Sequence, residues 1–268
     1  MRYWTGKTAI VTGGSRGFGR VLVEELARAG ARVMVAARDP DSLESVVGPL
    51  QAQGAEVRGC VCDVTQDDDV QRLLSTTLEQ FQRLDLLVNN VGRSSRKPIL
   101  DTTPEDFAEL FSLNFLSAVR CTRAAVPELL KTRGHLVQIA SLAARSVTPF
   151  LGAYPASKAP LAVYSQQLRY ELGPAGLHVL LVCPGPIQRE DAGTRYSAAT
   201  TDLPAAASQP GGGVRLRGIP PQLLARQILK SCEQRKVELV IPTKARLVFA
   251  LLPLWPTAAD WIIHKMTK

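Results

Sequence analysis

The sequence predicts an α/β fold: one doubly wound, mostly parallel sheet in a single domain, with helices on both faces. Two observations carry that expectation. Short β-branched apolar runs alternate with longer amphipathic stretches from the start of the chain, and a glycine-rich turn joins the first run to the first stretch. At 268 residues, 46% of them hydrophobic, the chain has the length and apolar content for one large core.

The apolar runs are Thr8–Val11, Arg32–Ala36, Val57–Val61, Leu84–Val88, His135–Ile139, Val179–Val182 and Leu239–Ile241. Such runs suit strands buried on both faces of a parallel sheet. Helical spacing occupies Gly19–Ala29, Ser42–Gln53, Asp68–Phe81, Pro104–Leu130, Ala153–Leu172 and Pro221–Cys232. Asp39-Pro40 and Thr103-Pro104-Glu105-Asp106 set a capping residue before a first-turn proline. Two regions break the rhythm. Residues 188–221 are rich in Ala, Gly, Ser, Thr and Pro and read as a long loop over a substrate site. After residue 242 an apolar extension, 243–268, closes the chain.

Charge and cysteine content narrow the function classes. The net charge is +8, but Arg16, Arg38, Arg93, Arg96, Lys97, Arg215, Arg217 and Lys265 are scattered. The clustered stripe that neutralises successive phosphates is missing, so nucleic acid is not an expected partner. Five cysteines (Cys60, Cys62, Cys121, Cys183, Cys232) lack metal-ligand spacing and a disulfide framework, so no metal is expected and the compartment reads as reducing. Met1 to Lys7 lead straight into the first strand and leave no room for a signal peptide; a cytoplasmic location is expected.

Thr12-Gly13-Gly14-Ser15-Arg16-Gly17-Phe18-Gly19 follows the first strand and opens a helix. Glycine lets a backbone approach a pyrophosphate, and the helix start offers unpaired N–H groups. The turn residues Gly13, Ser15, Arg16, Gly17, Phe18 and Gly19 are therefore cofactor candidates. At the end of the second strand an acid would hold a ribose hydroxyl and a base would meet a 2′-phosphate. Arg38 is the first charge there, with Arg16 projecting from the turn, which favours NADP(H) and leaves NAD(H) open. Asp39 could accept a ribose hydroxyl, but Pro40 after it favours the helix N-cap.

Tyr154 and Lys158 stand four apart on one predicted helix, and Ser141 precedes Tyr154 by thirteen positions. Hydride transfer to a ketone leaves an alkoxide that needs a proton donor and local positive charge. A phenol with a pKa of about 10 does this work once a nearby ammonium favours the phenolate.

In order and spacing these residues resemble the short, single-domain branch of the short-chain dehydrogenase/reductase family, across Lys7 to Ile241. Thr12-Gly13-x-x-x-Gly17-x-Gly19, Asn89-Asn90-Val91-Gly92, Asn114, Ser141, Tyr154-x-x-x-Lys158 and Pro184-Gly185 carry the resemblance. It implies a Rossmann-type catalytic domain over 1–242. Tyr154 would be the general acid/base, Ser141 would bond the substrate oxygen, and Lys158 would also hold the nicotinamide ribose. Asn114 would hold a relay water. Asp63 would meet the adenine, with Val64 beside it. Asn90, Val91 and Gly92 would border the adenosine, and Pro184, Gly185 and Ile187 the nicotinamide. A homodimer or homotetramer is also implied. Read alone, Asn114 could simply break a long helix, and Asp63 could cap a turn.

Three departures stand out. Val91 replaces the usual alanine, and Pro160 removes a helix donor just after Lys158. Arg189 occupies the place of a threonine that bonds the carboxamide, with Thr194 a nearby substitute. The extension has three readings: it packs on the substrate pocket or a neighbouring subunit, lies on a membrane surface through 245–266, or joins the core. The expected activity is hydride transfer between nicotinamide and a small carbonyl or alcohol; an apolar one would suit the extension. The alternative is a dinucleotide-binding sensor without turnover. The epimerase branch is disfavoured, since its glycine spacing and larger C-terminal domain are missing.

Overall fold

A computed structural model describes residues 3–189, 196, 200, 201, 203–209, 211, 213 and 216–267. Among them seven strands form one sheet: β1 (Thr8–Thr12), β2 (Arg32–Ala37), β3 (Val57–Val61), β4 (Leu86–Asn89), β5 (His135–Ile139), β6 (His178–Pro184) and β7 (Glu238–Ile241). All pairings are parallel, in the order β3-β2-β1-β4-β5-β6-β7. The chain builds outward from β1 to β3, then crosses back to set β4 against β1. The order therefore reverses between β1 and β4, where doubly wound sheets leave a crevice beyond the strand ends.

The helices are α1 (Gly17–Arg28), α2 (Pro40–Ala52), α3 (Asp67–Phe81), α4 (Pro104–Phe111), α5 (Ser117–Lys131), α6 (Tyr154–Lys158), α7 (Pro160–Leu172), the short α8 (Ala205–Ser208), α9 (Pro221–Glu233), α10 (Ala245–Leu254) and α11 (Pro256–Thr267). Leu22, Val23 and Leu26 of α1 and Leu224 and Ile228 of α9 bury one face of the sheet. Val70 and Leu73 of α3, Cys121 and Leu129 of α5, and Leu168 of α7 cover the other. The five cysteines are free and buried, Cys60 and Cys62 together in the second of these layers.

Four local outcomes differ from the sequence pattern. β3 is the sheet edge, and Val61 is exposed there rather than buried on both faces. The predicted helix 104–130 is interrupted by a π-helical turn, Ser112–Leu116, centred on Asn114. The stretch 153–172 breaks at Ala159, because Pro160 cannot donate to the turn before it. The extension forms two helices, α10 and α11, packed against each other. Neither they nor any other helix among the described residues is long and apolar enough to cross a membrane.

Candidate active site

A cavity of about 1900 Å³ opens beyond the C-terminal ends of the strands. The glycine-turn residues Gly13, Ser15, Arg16, Gly17, Phe18 and Gly19 line it, followed by Arg38, Asp63, Val64, Asn90, Val91 and Gly92. Ser141, Tyr154, Lys158, Pro184, Gly185 and Ile187 line it too. Of the predicted site residues only Asn114 is set back from the wall, at 1% exposure.

The floor at the β1/β4 switch is braced by Thr12, the residue that opens the glycine motif. Its hydroxyl donates to Val88 O at 3.2 Å and accepts from the backbone N–H groups of Asn90 (3.0 Å) and Val91 (3.3 Å). Asn90 returns the tie, donating through Nδ2 to Thr12 O at 2.9 Å and Gly13 O at 3.2 Å. The turn and the end of β4 are thus one rigid unit. Gly19 completes it: a Cβ there would lie 2.1 Å from Gly13 O, so only glycine lets α1 start this close to the turn.

At the β2 end, Asp39 holds the N-cap position of α2 but makes no side-chain cap. Its carboxylate accepts from Ser42 Oγ and from Arg16 (2.5 Å), and Arg16 Nε also donates to Ser42 Oγ at 3.0 Å. Those bonds, Ser42's first, hold the Asp39 carboxyl below the usual range. The expected cap is therefore corrected in part: charge-assisted bonding across the groove takes the carboxylate. Asp63 Oδ1 accepts from the Thr65 N–H (2.9 Å) and hydroxyl (2.7 Å), a local turn, while its Oδ2 lies 4.0 Å from Arg38 Nη1.

At the β5 end, α6 carries Tyr154 and Lys158. Lys158 is 4% exposed, and its Nζ donates to Ile139 O at 2.9 Å. Burial lowers its pKa to about 8. A Cβ on Gly92 would lie 2.7 Å from Lys158 Nζ and 3.0 Å from Asn114 Oδ1, so glycine is needed to admit the ammonium. Asn114 sits behind this pair. Its Oδ1 accepts from Arg93 N at 2.8 Å, and its Nδ2 donates to Arg93 O (2.9 Å) and Ser157 Oγ (2.8 Å). Ser157 Oγ in turn donates to Tyr154 O at 2.7 Å, so the π-helical turn pins the start of α6. Ser141 Oγ accepts from Ala143 N at 3.1 Å, which uses a lone pair and leaves the hydroxyl proton to donate toward the cavity.

Further residues line the cavity beyond those expected to contact the cofactor or substrate. Arg96, 7% exposed, lies with its guanidinium 3.9 Å from the Tyr196 ring centre and donates to Ala207 O at 2.8 Å, tying these two residues to the body. Val248 and Phe249 of α10 and Ile263 of α11 also line the cavity. Arg189 also lines it, while Thr194 lies outside the described residues.

Comparison with known proteins agrees with this arrangement. The sequence pattern described as short chain dehydrogenase matches residues 7–199. The chain belongs to that family. It is 37% identical over 180 residues to a tropinone reductase homolog of Arabidopsis thaliana, covering 67% of each chain. It is 30% identical over 269 residues to 11-beta-hydroxysteroid dehydrogenase A of Sesamum indicum, covering 97% of this chain and 75% of that one. Its fold matches the solved structure of a short chain dehydrogenase/reductase from Burkholderia phymatum in complex with NAD. The TM-score there is 0.81 with 27% identity, covering 95% and 96% of the two chains. This short-chain dehydrogenase is accordingly an oxidoreductase with a Rossmann-type, single-domain fold.

Proposed function

We propose that this short-chain dehydrogenase interconverts a carbonyl and a secondary alcohol with a nicotinamide dinucleotide. The observation that carries the reading is that one cavity joins the glycine turn to Ser141, Tyr154 and Lys158. The residues fit such a cofactor. Gly17, Phe18 and Gly19, the first turn of α1, line the cavity; no acidic residue occupies that turn and no side chain caps it, so its N–H groups suit a phosphate. The buried Lys158 ammonium has three donors and, among the described residues, bonds only Ile139 O, leaving capacity for ribose hydroxyls.

When bound, the nicotinamide supplies or accepts the hydride. The Tyr154 phenol gives its proton to, or takes it from, the substrate oxygen, and the Ser141 hydroxyl donates to the same oxygen and fixes its direction. Lys158 holds positive charge beside the phenol and grips the ribose. Asn114 positions Arg93 and, through Ser157, the start of α6. Arg38 and Arg16 flank the adenosine end, and their charge favours NADP(H) over NAD(H).

Arg96 ties Tyr196 and Ala207, two residues of the loop expected over the substrate site, to the body of the domain. Val248, Phe249 and Ile263 make an apolar wall suited to an apolar ketone. The outer side of the same helices exposes Leu247, Leu254, Trp255 and Trp261 near Lys244, Arg246 and Lys265, a composition that suits peripheral contact with an anionic membrane. Val163 and Tyr170 expose an apolar stretch of α7 that suits pairing of identical subunits.

The test is a panel of aldehydes and ketones with NADPH and NADH, read at the nicotinamide absorbance, on the native protein and on Tyr154→Phe. Turnover should fall by about 10²–10⁴-fold in the variant while cofactor still binds. Undiminished turnover would remove Tyr154 from the chemistry. Binding without turnover by the native protein across the panel would favour a sensor. Arg38→Asp should reduce NADPH affinity and spare NADH; an unchanged ratio would move the 2′-phosphate elsewhere.

A further inference from the structure

Tyr154 and Lys158 ride on α6, whose start Asn114 and Ser157 pin. Ser141 has no such support from a helix of its own: it caps the three-residue 3₁₀ turn Leu142–Ala144. The backbone bonds of that turn are all local. Ala143 N donates to Ser141 Oγ (3.1 Å), Ala144 N to Ser141 O (3.1 Å), and Arg145 N and Ser146 N to Leu142 O (3.0 and 2.9 Å). A single 3₁₀ turn has poor hydrogen-bond geometry, so its aim depends on what holds it from outside.

Two outside contacts meet at Arg145, the one charged residue of 141–146. Its Nη2 pairs with Glu238 Oε1 at 2.7 Å, at the start of β7. Its guanidinium also lies 5.6 Å from the ring centre of Phe249 in α10, within cation–π range. Arg246, also of α10, donates through Nη2 to Glu238 O at 3.1 Å, so α10 and Arg145 share one anchor. Leu142 and Ala144 pack with Ala245 and Phe249 against a single apolar cluster that includes Leu181, Cys183 and Val240. The Arg145 and Glu238 side chains are 38% and 24% exposed, so solvent screens the pair and its gain in stability is small. Position is another matter, since a displacement of about 1 Å at a reacting group can cost about 10²-fold in rate.

We infer that Arg145 is a positioning residue: paired with Glu238, it fixes the turn that aims the Ser141 hydroxyl, which rests on Ser141 donating to the substrate oxygen. Strand β7 and helix α10, both distant in sequence, thereby brace a group at the end of β5. Arg169 of α7 stands near the same carboxylate, so removing Arg145 does not leave Glu238 without a cation.

The experiment is a double-mutant cycle on the full chain, joining Arg145→Met to Ser141→Ala. The readouts are kcat and KM for cyclohexanone, 2-decalone and acetophenone with NADPH and NADH, and the dissociation constant of each cofactor. Arg145→Met should lower kcat about tenfold and leave cofactor binding unchanged. In the Ser141→Ala background the same change should cost less than about twofold, because the group it aims is gone. Arg145→Lys, which keeps the charge without the planar fork, should recover part of the loss. Hydrogen exchange should quicken within 141–146 in Arg145→Met and stay unaltered in α6. Equal losses in both backgrounds, or an undiminished kcat, would overturn the inference. Unaltered exchange across the turn would overturn it too, even if none of the three ketones is reduced. Full turnover by Ser141→Ala would instead defeat the reading of Ser141 itself.

Discussion

The two ends of strand β5 each meet a buried polar group, and they treat it differently. At the start of β5, Tyr3 OH and His135 Nε2 are 2.7 Å apart, His135 Nδ1 and His178 Nδ1 are 2.8 Å apart, and His178 Nε2 lies 2.8 Å from Lys236 O. A carbonyl only accepts, so His178 Nε2 donates and its Nδ1 accepts from His135. His135 Nε2 then accepts from the Tyr3 hydroxyl. Each imidazole is neutral with both nitrogens used, and burial pushes the pKa values down to about 3 for His135 and about 4 for His178. Cys232 Sγ lies within 4.8 Å of a ring nitrogen of each, the kind of grouping that could hold a metal ion, but all four ring nitrogens of the two histidines are already hydrogen-bonded. At the other end, Ile139 O accepts from Lys158, a buried ammonium that no carboxylate pairs with among the described residues. One network is closed and serves the fold. The other is left incomplete at a cavity, where a ligand can complete it.

The contrast breaks most sharply at Lys158. Lys158→Met should cost about 10²–10³-fold in turnover and yet raise stability by about 1–3 kcal/mol. Holding a buried ammonium at a lowered pKa costs about 1.4 kcal/mol per pH unit, offset in part by the lost bond to Ile139 O. Paired urea titrations and rates check both halves. A destabilised Met variant would mean that the charge serves the fold after all.

At the opposite end, His178→Phe should cost about 2–4 kcal/mol of stability by stranding His135 Nδ1 and Lys236 O, with the folded fraction keeping its turnover. Specific activity corrected for the folded fraction is the deciding measurement.

Acid should reveal the same network in the native protein. Both imidazoles have folded pKa values below their ordinary 6.5, so the unfolded chain binds the protons first. Their contribution to stability is full above pH 6.5 and declines as pH falls toward about 4, by up to about 1.4 kcal/mol per unit for each ring. Urea midpoints at pH 7, 6 and 5 should drop more steeply for the native protein than for a His135→Phe/His178→Phe double variant. Parallel slopes would assign the loss to carboxylates.

The smallest expected effect sharpens Asn114. Ser157→Ala removes the bridge from Asn114 to Tyr154 O and should lower kcat severalfold at unchanged KM, for about 1 kcal/mol of stability. A change in KM alone would make Ser157 a part of substrate binding instead.

Much of this architecture could be read before any coordinates. The strand starts at Thr8, Arg32, Val57 and His135 and the Thr103 cap of α4 follow from periodicity and capping chemistry; that Asp106 closes a capping box with it is a finding of the structure. Asn114 was legible as a helix-breaking polar residue, though not that its break is a π-helical turn or that its side chain holds Arg93 and Ser157. Asp39 was legible as an N-cap position, but its carboxylate answers to Arg16, which folding brings across the groove. The extension was legible as apolar, yet its pairing as α10 and α11 and its place on the cavity wall depend on what lies opposite.

By itself the sequence determined what local forces decide: the alternation of strand and helix, the glycine turn, and the four-residue spacing of Tyr154 and Lys158. Those features depend on neighbours within a turn or two of chain, so the order of residues already contains them. Only the tertiary structure decided which distant groups meet. Thr12 braces Asn90 across 78 residues, Arg189 reaches Gly17 from the far side of the crevice, and two histidines at adjacent strand starts close a chain from Tyr3 to Lys236. Such contacts depend on strand order and register, set by the packing of the whole sheet.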